Sequence, residues 1–282
     1  MKVKTSRKIT TVSFHMFIIL LGIVMLYPII WMVASSLKPA DEVFRNAASL
    51  IPSKLMWQNY VEGWKGFGNV SFATFFKNSF VVTILAVIGQ VISSAVVAYG
   101  FARIRFPGRK ILFAAMILTM LLPAQILLIP QYIMFVGFDW IDTYLPLIIP
   151  HYFGTPFFIF LIMQFIQGIP RELDESANID GCGKFRTFIQ IIIPMTLPAI
   201  ATTTVFSFYW KWDDFMGPLL YLHSPMKYTV SIALKSFSDP SSVTNWSAMF
   251  AMSTLSLIPS FVIFLCFQRY LVEGISTTGL KS

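Results

Sequence analysis

Pro170-Arg171-Glu172-Leu173-Asp174-Glu175-Ser176-Ala177-Asn178-Ile179-Asp180-Gly181-Cys182-Gly183 is a polar island set between two long apolar stretches. A chain that spends four carboxylates here while keeping charge out of both flanks is separating a water-exposed loop from segments meant for lipid. Pro170 suits a helix start, and Asp174 and Glu175 are favourable near a positive helix N-terminus. Gly181 and Gly183 supply the backbone freedom for a sharp turn. The loop, residues 167 to 187, is therefore predicted to be a short helix, a bend and a second short helix. Small Ser176 and Ala177 predict a shallow outer surface that another protein can approach closely. The plainer alternative is an amphipathic loop helix resting on the membrane surface.

Outward from the island the composition points to a membrane protein. Hydrophobic residues make up 56% of the chain and charged residues 12%, about half the charged share of an ordinary soluble domain. Six windows hold no Lys, Arg, Asp or Glu: residues 13–36, 78–102, 111–136, 144–166, 188–210 and 246–268. Each exceeds the roughly 20 residues that a helix needs to cross about 30 Å of hydrocarbon. A barrel would show alternation over about ten residues instead of continuous runs. The expectation is an all-α, polytopic membrane protein with six transmembrane helices in one membrane domain. Lys2, Lys4, Arg7 and Lys8 precede the first window as they would precede a secretory signal. That window is far longer than a signal core of about 7 to 15 residues, so a retained helix is expected.

Basic residues set the orientation. With six crossings and the N-terminus inside, the inner pieces hold 13 Lys and Arg, ending with Lys281, against 8 outside. The island and both termini are then expected in the cytoplasm. The net charge of +8 reads as this topological signal, and no arginine-rich or aromatic-interleaved patch suggests nucleic acid. Cys182 and Cys266 are too few for a disulfide framework, and reduced thiols are expected.

Several chemistries are missing. Gly183-Lys184 is followed by Phe185 and lacks the upstream glycine of a phosphate-binding loop, so the chain is not expected to bind ATP that way. His15, His151 and His223 lie on separate segments with no metal-ligand spacing. No window carries the mid-membrane ionisable group that a proton- or sodium-coupled carrier commonly needs, nor a nucleophile, base or metal set for an enzyme. Energy for transport must then come from a partner, and the island is the natural docking face. Pro28, Pro123, Pro130, Pro146, Pro150, Pro156, Pro194, Pro198 and Pro259 punctuate the windows and predict bends or breaks. Long extracytoplasmic segments are expected at 37–77 and 211–245.

The island's spacing resembles the EAA motif of ABC importer permeases, with Glu175, Ala177, Asp180, Gly181, Ile191 and Pro194 in register. Ser176, Cys182 and Ile193 depart conservatively from it. Further along the chain, Ser36-Leu37-Lys38-Pro39 with Asn59 and Tyr60, Tyr99-Gly100-Phe101-Ala102-Arg103, Leu122-Pro123-Ala124-Gln125 and Gln268-Arg269-Tyr270 are similar to MalG-type permeases of carbohydrate importers. The resemblance implies a MetI-like six-helix permease in a bacterial or archaeal cell (inner) membrane. It implies a MalF-like partner permease, a dimer of ATPase subunits that holds ATP and Mg, and an extracytoplasmic sugar-binding protein. No cofactor is then expected in this chain, which would be no enzyme. The implied ATPase-coupling residues are Glu172, Asp174, Glu175, Ser176, Ala177, Asp180, Gly181, Cys182 and Gly183, with Glu175 the polar contact and Gly181 the bend.

Trp212-Asp213-Asp214-Phe215 stands where the family usually has Trp-Asn-Asp-Phe. Aromatic rings stack on sugar faces and polar groups bond hydroxyls. Gln125, Gln131, Tyr152, Tyr209, Trp210, Trp212, Asp213 and Asp214 are therefore candidates for the substrate path or for binding-protein contact. The plainer reading of the aromatic and amide residues is interfacial belt or packing. The expected cargo is a sugar or oligosaccharide; the alternatives are another polar solute such as a glycerol phosphate, or a secondary carrier.

Overall fold

The computed structural model describes residues 2–237 and 245–279, with side chains for 11–123, 125–237 and 245–270. Residues 238–244, inside the expected long segment 211–245, and Lys281, counted for the orientation, lie outside the described residues. In chain order the α-helices are α1 (Lys2–Ser36), α2 (Glu42–Arg45), α3 (Gln58–Lys65), α4 (Phe72–Arg103), α5 (Arg109–Thr119), α6 (Ala124–Gly137), α7 (Leu145–Ile148) and α8 (Pro156–Gly168). They continue with α9 (Glu172–Ile179), α10 (Lys184–Thr187), α11 (Ile193–Met195), α12 (Leu197–Trp212), α13 (Met216–Tyr221), α14 (Val230–Ser236) and α15 (Trp246–Gly279). There is no strand among the described residues.

Four helical stretches are long and apolar enough to cross a membrane singly: Thr11–Ser36, Phe72–Arg103, Leu145–Gly168 and Trp246–Tyr270. They match the first, second, fourth and sixth windows. The fifth window is broken, with Lys184–Met195 and Leu197–Trp212 meeting at 77°. Pro194 and Pro198 each remove a backbone donor around the bend, and the preceding turn at Phe188–Ile192 is a π-helix, a common hinge element. At the bend, Thr196 donates both its N–H (3.0 Å) and its hydroxyl (2.9 Å) to the Ile192 carbonyl.

The third window is broken as well, as its prolines predict. It divides into α5 and α6 around Met120–Pro123. Pro123 disfavours helical geometry at Leu122 and starts α6 instead. Eleven residues of α5 rise only about 16 Å, so neither piece crosses about 30 Å alone. Pro28, Pro130 and Pro259 remain inside helices.

Contacts divide the chain into two compact units, 1–71 with 234–257 and 72–233 with 258–282. In the first, the end of α1 is capped from a distance. The Asn59 amide donates to the carbonyls of Ser36 (2.8 Å) and Lys38 (2.9 Å), and the Ser36 and Tyr60 hydroxyls bond at 2.8 Å. Lys38 is fully buried and donates to the Asn46 carbonyl at 3.0 Å. Those bonds satisfy carbonyls that a helix end leaves without partners. They explain why Ser36, Lys38, Asn59 and Tyr60 stand where they do.

The second unit is built on α4. Its inward face repeats at three and four residues and is largely small: Ser79, Ala86, Gly89, Ser94, Ala95, Ala98 and Ala102. Small residues let helix backbones approach closely where lipid supplies no hydrophobic drive between helices. Ile162 and Ile166 of α8 are fully buried in the core that includes Ala95, Ala98 and Ala102. Gln90 ties three helices together, donating to Thr155 Oγ1 at 2.7 Å and accepting from the Ser207 hydroxyl at 2.6 Å. Tyr152, in the 3-10 turn Ile149–Phe153, lies against the gap left by Gly89.

Candidate functional site

The island folds as its local chemistry requires. Glu172, Asp174 and Glu175 occupy the first turn of α9, where carboxylates meet the positive end of the helix. At the other end, Gly181 takes φ +77°. Its N–H bonds the Asn178 carbonyl at 3.1 Å while the Cys182 N–H reaches back to Ala177 at 2.8 Å. This pair of bonds closes the helix with a left-handed glycine and turns the chain into α10. Glu172, Glu175, Ser176, Asp180, Gly181 and Gly183 are exposed, Asp174 and Cys182 half-buried.

Ala177 corrects the sequence reading: it is 4% exposed and faces inward, so it is no part of an outer surface. The apolar groups offered outward are Ile179 (85% exposed) and Phe185 (75%). Sequence inspection passed over both because isolated apolar residues are ordinary. Their position on a polar loop was the available signal.

Behind the loop stands the end of α4. Arg103, its side chain 7% exposed, donates from Nη2 to the Ile169 carbonyl at 2.6 Å and pairs through Nε with Asp174 Oδ2 at 3.2 Å. One turn earlier the Tyr99 hydroxyl donates to the Lys184 carbonyl at 3.1 Å, and its ring lies 4.8 Å from that of Phe188. A cavity of about 320 Å³ opens here, lined by Tyr99, Arg103, Arg171, Asp174, Glu175 and Lys184 among others.

The residues proposed for a substrate path are spread over three elements. Gln125 (exposed) and Gln131 (half-buried) lie on α6, Tyr152 (exposed) on the 149–153 turn, and Tyr209 and Trp210 (both exposed) on α12. Trp212 is instead a core residue in this fold, stacked on Phe208 at 5.7 Å and set against Phe80 at 4.8 Å. The two acids also separate. Asp214 accepts from the Gly217 N–H at 3.1 Å and pairs with Lys211 at 3.3 Å, which makes it a cap for α13. Asp213 stays exposed, and partial desolvation together with the Asp214 charge raises its pKa.

A third acid, Asp142, holds the segment 223–227. Its carboxylate accepts from the Ser224 hydroxyl (2.6 Å) and N–H (3.0 Å), the His223 N–H (3.0 Å) and Lys227 Nζ (2.9 Å). Desolvation alone would raise this carboxyl, but the hydrogen bonds outweigh it and hold the group well below the usual carboxylate range. No group of three or more His, Cys, Asp or Glu able to hold a metal ion occurs among the described residues.

Residues 90–277 match the family model described as "Binding-protein-dependent transport system inner membrane component". The chain is 33% identical over 270 residues to the probable ABC transporter permease protein YurM of Bacillus subtilis (strain 168), covering 95% of this chain and 88% of the relative. It is 30% identical over 272 residues to the arabinooligosaccharides transport system permease protein AraQ of the same organism, covering 96% and 95%. The fold is similar to that in a crystal structure of a bacterial ABC transporter involved in the import of the acidic polysaccharide alginate. The TM-score is 0.81 at 20% identity, over 94% of this chain and 98% of that one. With apolar helices built for lipid and a family match over most of its length, the chain belongs to the binding-protein-dependent inner-membrane transport components and is a permease subunit of an ATP-binding-cassette importer, not an enzyme.

Proposed function

We propose that this permease forms half of a translocation path for a sugar or oligosaccharide, and that α9 with its following turn is the helix that docks on the ATPase. The observation that carries the docking assignment is the loop's division of labour. Asp174 pairs with Arg103 of α4 and Ala177 is buried, while Glu175, Ile179 and Phe185 are left exposed at a segment end. ATP and Mg belong on the ATPase subunits in this reading. A homologous MalF-like permease completes the path, and the exposed apolar surface of Thr11–Ser36, whose most apolar 18 residues include none that is buried, faces lipid or that partner. The sugar assignment draws on the named cargo of AraQ, and Gln125, Gln131, Tyr152, Tyr209, Trp210 and Asp213 remain candidates for contact with sugar or binding protein.

The test is uptake by proteoliposomes holding the whole importer. Labelled oligosaccharide should enter only with internal ATP and external binding protein. Uptake driven by an ion gradient without ATP would sink the importer mechanism, and uptake confined to glycerol phosphate would replace the cargo.

In the proposed orientation the docking loop and both termini are cytoplasmic. On a background lacking Cys182 and Cys266, Ser282→Cys should resist an impermeant thiol reagent added to intact cells, and Lys54→Cys should react. Reaction at position 282 in sealed cells would reverse the orientation.

A further inference from the structure

The docking loop does not hang from its two flanking segments alone. Three of its points are held by two side chains one turn apart on α4: the carbonyl of Ile169 and the carboxylate of Asp174 by Arg103, and the carbonyl of Lys184 by Tyr99. These points precede the loop helix, lie on it and follow it. Residues 99 and 103 are a helical i, i+4 pair and so share one face of α4. Their neighbours are packed: Tyr99 is 7% exposed, Ala98 fully buried and Ala102 2%.

The other end of the same helix is tied in the same manner. The Asn78 amide donates to the carbonyls of Met226 (2.9 Å) and Tyr228 (3.0 Å), and the Ser79 hydroxyl accepts from the Val230 N–H at 2.8 Å. From Ser79 to Tyr99 the helix is unbroken and rises about 30 Å, the thickness of the hydrocarbon layer. Gln90, between them, fixes α4 to α8 and α12. A rigid rod with hydrogen-bonded attachments at both ends is suited to pass a displacement from one to the other.

We propose that Arg103 and Tyr99 are positioning residues that clamp the docking loop to α4, making α4 the strut by which movement of the ATPase reaches the segment 226–230 at the opposite end. The inference rests on the docking assignment above. It adds that the loop works through this clamp and not only through its connections in the chain. Arg suits the task because its delocalised charge can lie beside the Asp174 carboxylate, an ion pair without hydrogen-bond alignment, while Nη2 donates to the Ile169 carbonyl.

The experiment uses the assembled importer in proteoliposomes and measures substrate molecules taken up per ATP hydrolysed. Loss of folded protein lowers both rates together and leaves that ratio alone. Arg103→Gln should retain the ATPase on co-purification and lower the ratio about tenfold, within the range of measured coupling between sites. Arg103→Lys should recover part of the loss, and Tyr99→Phe, which removes only one hydroxyl, should show a smaller loss in the same direction. If Arg103→Gln fails to assemble, Tyr99→Phe decides. A parent-level ratio for the assembled variants overturns the clamp. Glu175→Ala is run in parallel: if it still binds and drives the ATPase as the parent does, the docking assignment itself has failed. If it loses the ATPase while the clamp variants keep the parent ratio, only the clamp falls.

Discussion

Glu175→Ala is expected to strip the ATPase from the purified complex, and Gly181→Leu to do so by a different route. Glu175 is exposed, so its loss leaves the fold of the permease intact and removes one partner of a charged contact at the proposed interface. Truncating one side of a desolvated, hydrogen-bonded charge pair costs on the order of 2 to 5 kcal/mol, enough to lower affinity by well over tenfold. At Gly181 there is open space around a built Cβ, so no clash opposes a side chain. The obstacle is φ +77°, a left-handed conformation that costs an ordinary L-residue roughly 1 to 2 kcal/mol. Relaxing it would break the bonds from Gly181 to Asn178 and from Cys182 to Ala177 and re-aim Phe185.

The comparison variant is Asp213→Asn, away from the loop and exposed. It should keep the ATPase bound and lower only the hydrolysis stimulated by binding protein. Co-purification set beside stimulated rate separates the cases. Parent values of both for Glu175→Ala and Gly181→Leu would reduce residues 171 to 187 to an ordinary surface loop.

How much of this was legible in the sequence follows from the range of each interaction. The shape of the island was readable because its causes are local: three acids in a first turn and a glycine where the chain must go left-handed. The burial of Ala177 was not, because which face of a short helix turns inward is set by tertiary contacts, and the one that the neighbouring Asp174 makes, to Arg103, spans more than seventy positions. Trp212 failed for the same reason. An aromatic ring before two acids suggests a binding surface, and only the approach of Phe80 and Phe208 makes it core. Prolines mark where a helix has lost a donor, but Pro123 and Pro198 sit at breaks while Pro28, Pro130 and Pro259 are absorbed. Which outcome prevails is decided by whether neighbouring groups satisfy the freed carbonyls, a tertiary matter.

Gly89→Ala offers a test in which the local and tertiary expectations have opposite signs. Gly89 lies inside α4, and in an isolated helix alanine there would be favoured by about 1 kcal/mol. In the folded chain a Cβ at this position would overlap the Tyr152 ring at three of its carbons. The ring belongs to the 3-10 turn 149–153, and the chain just beyond it is tied to α4 by the Gln90 amide donating to Thr155 Oγ1 at 2.7 Å. Moving it therefore strains a bonded segment and not a free side chain. Overpacking of this kind costs about 1 to 3 kcal/mol, which outweighs the propensity gain. Gly89→Ala should accordingly lower the unfolding temperature of the detergent-solubilised permease. Tyr152→Leu removes the obstruction, so adding Gly89→Ala to that variant should leave the unfolding temperature level or raise it. A single variant that unfolds with the parent, or a double variant that unfolds below Tyr152→Leu alone, would show that the ring does not press on α4.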